Sequence, residues 1–160
     1  MIDLKNNTWL LILGAGILAL LAIVLPSMSS INIKYLDETT FTWISGLEMN
    51  LTDIGWITDE NVIVIGVIGS IVIGILAFIC ISLAILTKAK DVKIPFKGYV
   101  WLGLGLIIFI LPFIIPIIMV LVAEEATHVY YLRLPIDLFS LFLYSGGFMC
   151  ILAGLEEIRR

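Results

Sequence analysis

Residues 61–87 read NVIVIGVIGSIVIGILAFICISLAILT, an unbroken run without Asp, Glu, Lys or Arg. A helix needs about 20 predominantly apolar residues to cross a hydrocarbon core of roughly 30 Å. This stretch exceeds that length and predicts a transmembrane helix. Working outward from it, Trp9–Leu25, Gly98–Ala123 and Pro135–Leu155 have the same character, with Asp137 as their single charged residue. The first is near the minimum for spanning, whereas 61–87 and 98–123 are long enough to tilt or protrude. The chain therefore reads as one integral membrane domain over residues 1–160, an all-α membrane protein. Its expected form is a four-transmembrane-helix bundle with spans at about 9–25, 61–87, 98–123 and 135–155.

Composition agrees. Of 160 residues, 61% are hydrophobic and 14% charged, against roughly 45–50% and about 25% in soluble domains. A soluble protein of this size has too little interior to hide so much apolar surface. A soluble enzyme and a disordered chain are excluded. A sequence pI near 4.8 argues against a nucleic-acid binder. Two cysteines cannot build a disulfide framework.

Basic residues set the orientation. With the amino terminus inside, Lys5, Lys88, Lys90, Lys93, Lys97, Arg159 and Arg160 lie inside, and only Lys34 and Arg133 lie outside. Most acids sort the other way, including Asp37, Glu38, Glu48, Asp53, Asp59, Glu60, Glu124 and Glu125. The expectation is a plasma-membrane protein with both termini cytoplasmic and residues 26–60 as an extracellular loop. A cleaved signal peptide is the competing reading, since Ser27-Met28-Ser29 offers small residues after an apolar stretch. Against it stand a leader of neutral charge, with Asp3 balancing Lys5, and Trp9 at the expected interface. Trp9, Tyr99 and Trp101 mark the inner interface and Tyr130 and Tyr131 the outer one, where amphipathic rings anchor.

Within lipid, helices associate by close backbone approach rather than by hydrophobicity. Gly66, Ser70 and Gly74 predict a small-residue groove on the second span, and Gly146, Cys150 and Gly154 a second one on the fourth. Ala15 and Ala19 give a weaker version on the first. Pro112 and Pro116 each remove a helix donor and predict a bend in the outer half of the third span.

The outer loop carries strand-like alternation. Ile31, Ile33 and Tyr35 alternate with Asn32 and Lys34, and Phe41 and Trp43 with Thr40 and Thr42. A turn around Asp37-Glu38-Thr39 would pair Tyr35 with Phe41 and Ile33 with Trp43, gathering the large apolar groups on one face. Leu47, Met49 and Leu51 suggest a third strand, so a small antiparallel β-sheet is expected in this loop. Thr58-Asp59-Glu60 supplies capping oxygens and negative charge ahead of the second span. Asn50-Leu51-Thr52 is a possible glycosylation sequon at Asn50.

Four spans, inside termini, a β-like first outer loop, a short inner loop and a bent third span together resemble the claudin and peripheral myelin protein superfamily. That family carries a tryptophan, a Gly-Leu-Trp element and two disulfide-bonded cysteines in this loop. Here Trp43 precedes Gly46-Leu47, Glu48 replaces the second tryptophan, and the loop has no cysteine. The resemblance implies a fold and transfers no function residue by residue.

The residues give no basis for an enzyme or a cofactor. Cys80 and Cys150 lie within spans and form no C-x-x-C pair, which argues against thiol–disulfide chemistry. His128, with Glu124 and Glu125, is at most half of a metal site and reads as a solvated helix end. Apart from Asp137 at the entry to the last, the spans carry no charged group for ion coupling. The expected function is that of a non-catalytic scaffold, adhesion protein or accessory subunit acting through its extracellular sheet. Its expected partners are membrane lipid, further copies of itself or another membrane protein, and no nucleic acid. Trp43, Tyr35 and Phe41 are the expected apolar face, and Trp56 is either an exposed contact anchor or a residue resting at the membrane interface. The alternative is an oligomeric cation-permeable channel whose acidic outer loops concentrate cations at its mouth.

Overall fold

The computed structural model describes residues 7–26, 28–31, 39–49, 54–56, 60–89, 96–122 and 138–159. Four helices dominate: α1 (Thr8–Val24), α2 (Glu60–Lys88), α3 (Lys97–Val122) and α4 (Leu138–Ile158). Helices α2, α3 and α4 are long and apolar enough to cross a membrane, and α1 is a shorter apolar helix of 17 residues. At 1.5 Å per residue, α1 reaches about 26 Å, just short of the roughly 30 Å core. Helix α4 continues past the expected end at Leu155 and takes in Glu156 and Glu157. Helix α3 runs without interruption through Pro112 and Pro116 to Val122.

Each helix packs against two others in a ring: α1 on α2 and α4, and α3 on α4 and α2. The pairings run antiparallel. Gly16 of α1 approaches Ala77 and Ile81 of α2, Ala15 approaches Gly146 of α4, and Gly69 of α2 approaches Ile115 of α3. Helices α2 and α4 therefore face each other along a diagonal. The interior is filled by Ile12, Ile73, Trp101, Ile108, Met119 and Leu143, all buried. The outside of the ring carries Ile71, Phe78, Ile85, Ile117 and Leu121, each more than half exposed. So broad an apolar exterior suits lipid and would aggregate in water.

The tightest seam lies between α3 and α4. A Cβ built on Gly147 would lie 2.7 Å from the Phe109 nitrogen, and one on Gly154 would lie 2.7 Å from that of Leu102. Gly98 and Gly105 make the matching approaches from α3. Only a residue without a side chain allows backbones this close.

The expected groove on α2 is corrected. Its buried face is Val62, Gly66, Gly69, Ile73, Ala77, Cys80 and Ala84, while Ser70 and Gly74 are half-buried. The Ser70 hydroxyl donates locally to the Gly66 carbonyl at 2.8 Å. The reason is angular: at 3.6 residues per turn, a strict four-residue step drifts about 40° each time. Alternating steps of three and four stay on one face. On α4 the same drift turns Gly146 toward α1 and Gly154 toward α3, with buried Cys150 between them.

The segment between α1 and α2 holds four short extended stretches, β1 (Met28–Ile31), β2 (Thr39–Thr42), β3 (Leu47–Met49) and β4 (Ile54–Trp56). They pair antiparallel in sequence order. This is not the expected sheet. Ser29 stands opposite Phe41 and Ile31 opposite Thr39, so the first pairing uses earlier residues than the alternation predicts. The expected partners Ile33 and Tyr35 and the turn at 37–38 lie outside the described residues. Trp43 belongs to no strand, and β3 folds back on β4 with Met49 opposite Ile54. The face expected from Tyr35, Phe41, Ile33 and Trp43 rests mostly on side chains outside that description; Trp43 itself lies beyond the strands, and its indole bonds to the end of α1.

Candidate functional site

At the end of the bundle where this segment lies, the Trp43 indole Nε1 donates a 2.8 Å hydrogen bond to the Val24 carbonyl. Val24 is the last residue of α1, and its carbonyl is one of the four that a helix leaves without an internal donor. The indole fills that vacancy and fixes the loop to the helix. Immediately after it the chain reverses: the Gly46 nitrogen donates to the Trp43 carbonyl and the Trp43 nitrogen to the Leu47 carbonyl, both at 2.9 Å. Gly46 has φ 85°, a conformation that glycine adopts without penalty. The turn presses Ile44 onto the bundle, where its carbonyl lies against Gly66 of α2 and beside Met119 of α3. Ile44 is 4% exposed and seals this end.

The hairpin of β3 and β4 behaves differently. Met49 and Ile54 are paired across it and Trp56 lies two residues on, so all three project from one face. They are 41%, 65% and 57% exposed. Nothing lies within 4 Å of a Cβ built on Gly55. The three side chains thus form an exposed apolar face on a segment that Trp43 ties to the end of α1.

The opposite end of the bundle carries a polar cluster that the sequence reading missed. Glu157 of α4 accepts a 2.7 Å hydrogen bond from the Thr8 hydroxyl of α1 and pairs with Lys97 of α3 at 3.2 Å. Lys97 also lies 4.5 Å from the centre of the Trp101 ring, and Lys88 4.8 Å from that of Trp9. Trp101 was expected at the membrane interface; it is instead fully buried between helices, while Tyr99 is exposed. The cluster ties α1, α3 and α4 together and is structural in character.

In the middle of the bundle, Cys80 and Cys150 point at each other with 3.9 Å between sulfurs, both buried and both reduced. Among the described residues no three His, Cys, Asp or Glu side chains gather as a metal site. Of the residues singled out in the sequence, Trp43, Trp56, Gly66, Gly146, Cys150 and Gly154 take the positions given above. Phe41 lies in β2 opposite Met49. Tyr35, Asn50, Glu124, Glu125 and His128 lie outside the described residues. Comparison with protein families, with curated proteins and with solved structures gives no match to this chain.

Proposed function

We propose that this chain is a four-span plasma-membrane protein that works by contact rather than by catalysis. Both termini are cytoplasmic, and the segment from residue 26 to residue 60 is presented outside to another membrane protein or to a second copy. The observation that carries this reading is the division within that segment. Trp43 and Ile44 are tied to the bundle, whereas Met49, Ile54 and Trp56 form an exposed apolar face beside them. Such aromatic and aliphatic anchors dominate protein interfaces. In this reading the claudin-like architecture supplies the platform and the hairpin the specificity.

The channel reading needs several chains, because Trp101, Ile108, Ile73 and Leu143 fill the interior of a single bundle. Its support is the acidic loop, which would enrich cations at a pore between subunits. Chemical crosslinking in native membranes, followed by purification in mild detergent, tests the contact reading. The wild type should recover a discrete crosslinked species. Trp56→Ala combined with Ile54→Ser should abolish it without reducing the yield of inserted protein. A wild type that is monomeric and crosslinks to nothing overturns the proposal. Cation current from the purified chain in liposomes would put the channel in its place.

A further inference from the structure

Two lysines at one end of the bundle sit over tryptophan rings, and their surroundings differ. Lys97 lies 4.5 Å from the centre of Trp101, pairs with Glu157 at 3.2 Å, and covers a fully buried ring. Lys88 lies 4.8 Å from the centre of the half-buried Trp9 ring, is exposed, and pairs with no carboxylate among the described residues. The first arrangement is closed within the protein. The second holds a cation in place at the surface with its charge unmatched.

From Lys88 the outer seam between α1 and α2 runs along the bundle. It is traced by the approaches of Lys88 to Trp9, Ile81 to Gly16, and Ile23 to the Gly74 position. Beside this line Ile85 and Phe78, seven residues apart and so on one face, are each more than half exposed. Phe78 lies about 15 Å along the helix from Lys88, half of the roughly 30 Å hydrocarbon core. The cation therefore stands above an apolar strip one leaflet deep, open to lipid along its whole length. Net charge selects the headgroup. Residues 1–8, 88–97 and 156–160, which belong to this end, carry seven basic residues against four acidic ones, whereas the rest of the chain carries two against nine. Such an end attracts an anionic headgroup and repels the ammonium of a zwitterionic one.

We infer that Lys88 holds an anionic phospholipid, with the phosphate on the ammonium above Trp9 and an acyl chain along Ile85 and Phe78. The inference is independent of what the hairpin at the other end contacts.

The test reconstitutes the full chain in vesicles of equal parts palmitoyl-oleoyl phosphatidylglycerol and palmitoyl-oleoyl phosphatidylcholine. The protein is then extracted in mild detergent and weighed intact with the lipid it retains. The wild type should retain phosphatidylglycerol over phosphatidylcholine by about tenfold, the worth of one charge-assisted hydrogen bond. Lys88→Arg should keep that preference, and Lys88→Gln should lose it at an unchanged melting temperature. Arg159→Gln removes another exposed cation from the same end and should keep it. Phosphatidylglycerol with a photoreactive acyl chain should label α1 and α2 around Trp9, Ile85 and Phe78 more strongly than phosphatidylcholine with the same chain. The inference fails if the wild type shows no preference or if Lys88→Gln retains it. Equal loss in Lys88→Gln and Arg159→Gln would assign the selectivity to net charge and overturn the site, as would labelling confined to α3 and α4.

Discussion

Gly105 and Gly147 meet backbone to backbone, each so placed that a Cβ on it would lie 2.8 Å from the other's carbonyl oxygen. Seven residues along each helix, Gly98 and Gly154 repeat the meeting, with the corresponding distances 3.0 and 2.8 Å. Seven residues is close to two helical turns, the period at which a left-handed crossing keeps the same faces in contact. The α3–α4 seam is therefore built on two glycine pairs in antiparallel register. Neither pair can accept a side chain without separating the helices.

Gly105→Ala and Gly147→Ala should each destabilise the bundle by about 1–3 kcal/mol, the range for overpacking a close contact. Gly103→Ala is the control. Nothing lies within 4 Å of a Cβ there, and alanine favours a helix over glycine by about 1 kcal/mol. Thermal unfolding in detergent should rank Gly103→Ala at or above the wild type and the other two below it. Equal melting of all three would place the α3–α4 seam elsewhere.

A similar contrast separates two glycines of α2. A side chain on Gly66 would meet the Ile44 carbonyl, whereas one on Gly74 would meet only the Ile23 Cδ1, at an ordinary 3.8 Å. Gly66→Ala should lift the 43–47 turn and with it Trp43, shifting the indole emission to the red. Gly74→Ala should leave the emission unchanged. A shift of the same size in both variants would refute the seating of Ile44.

The spans were legible because apolar length is a one-dimensional property, and every helix lies within a few residues of its expected range. Which face of a helix is buried was less so. The step of four that joins Gly66, Ser70 and Gly74 is conspicuous in the sequence, yet it walks around the helix. The step of seven that joins Gly98 to Gly105 and Gly147 to Gly154 was present but passed over, because its meaning appears only when two helices are read together. Trp43 was misassigned for a different reason. Alternation placed it in a strand, and nothing local reveals that the end of α1 offers its indole an acceptor. Glu157 escaped notice because it lies beyond the apolar run, although it is the group that joins three helices.

That junction makes a prediction of its own. Glu157 is 11% exposed in its side chain and accepts from Thr8 and Lys97, whereas Glu156, one residue earlier, is turned about 100° around the helix. Hydrogen bonds to a charged group contribute about 1.5–3 kcal/mol. Glu157→Ala should cost stability in that range, and Glu156→Ala much less. In a double-mutant cycle, Thr8→Val and Glu157→Ala should fall short of additivity, as groups in direct contact do. Strict additivity would deny the contact between α1 and α4 at this end.

The final prediction concerns orientation, which rests on the seven basic residues on one side against two on the other. The native thiols are a silent background, since Cys80 and Cys150 are 0% exposed. Gly55→Cys places a thiol on the exposed hairpin, where nothing crowds it, and Ala89→Cys places one just past the end of α2. In intact cells a membrane-impermeant maleimide should label Gly55→Cys and leave both the wild type and Ala89→Cys unmodified. After permeabilisation Ala89→Cys should label as fully as Gly55→Cys. The two positions flank one helix, so they must report opposite sides if α2 crosses the membrane. Labelling of Ala89→Cys alone in intact cells would invert the topology and move the hairpin, with its proposed partner, to the cytoplasmic side. Labelling of both in intact cells would mean that α2 does not span.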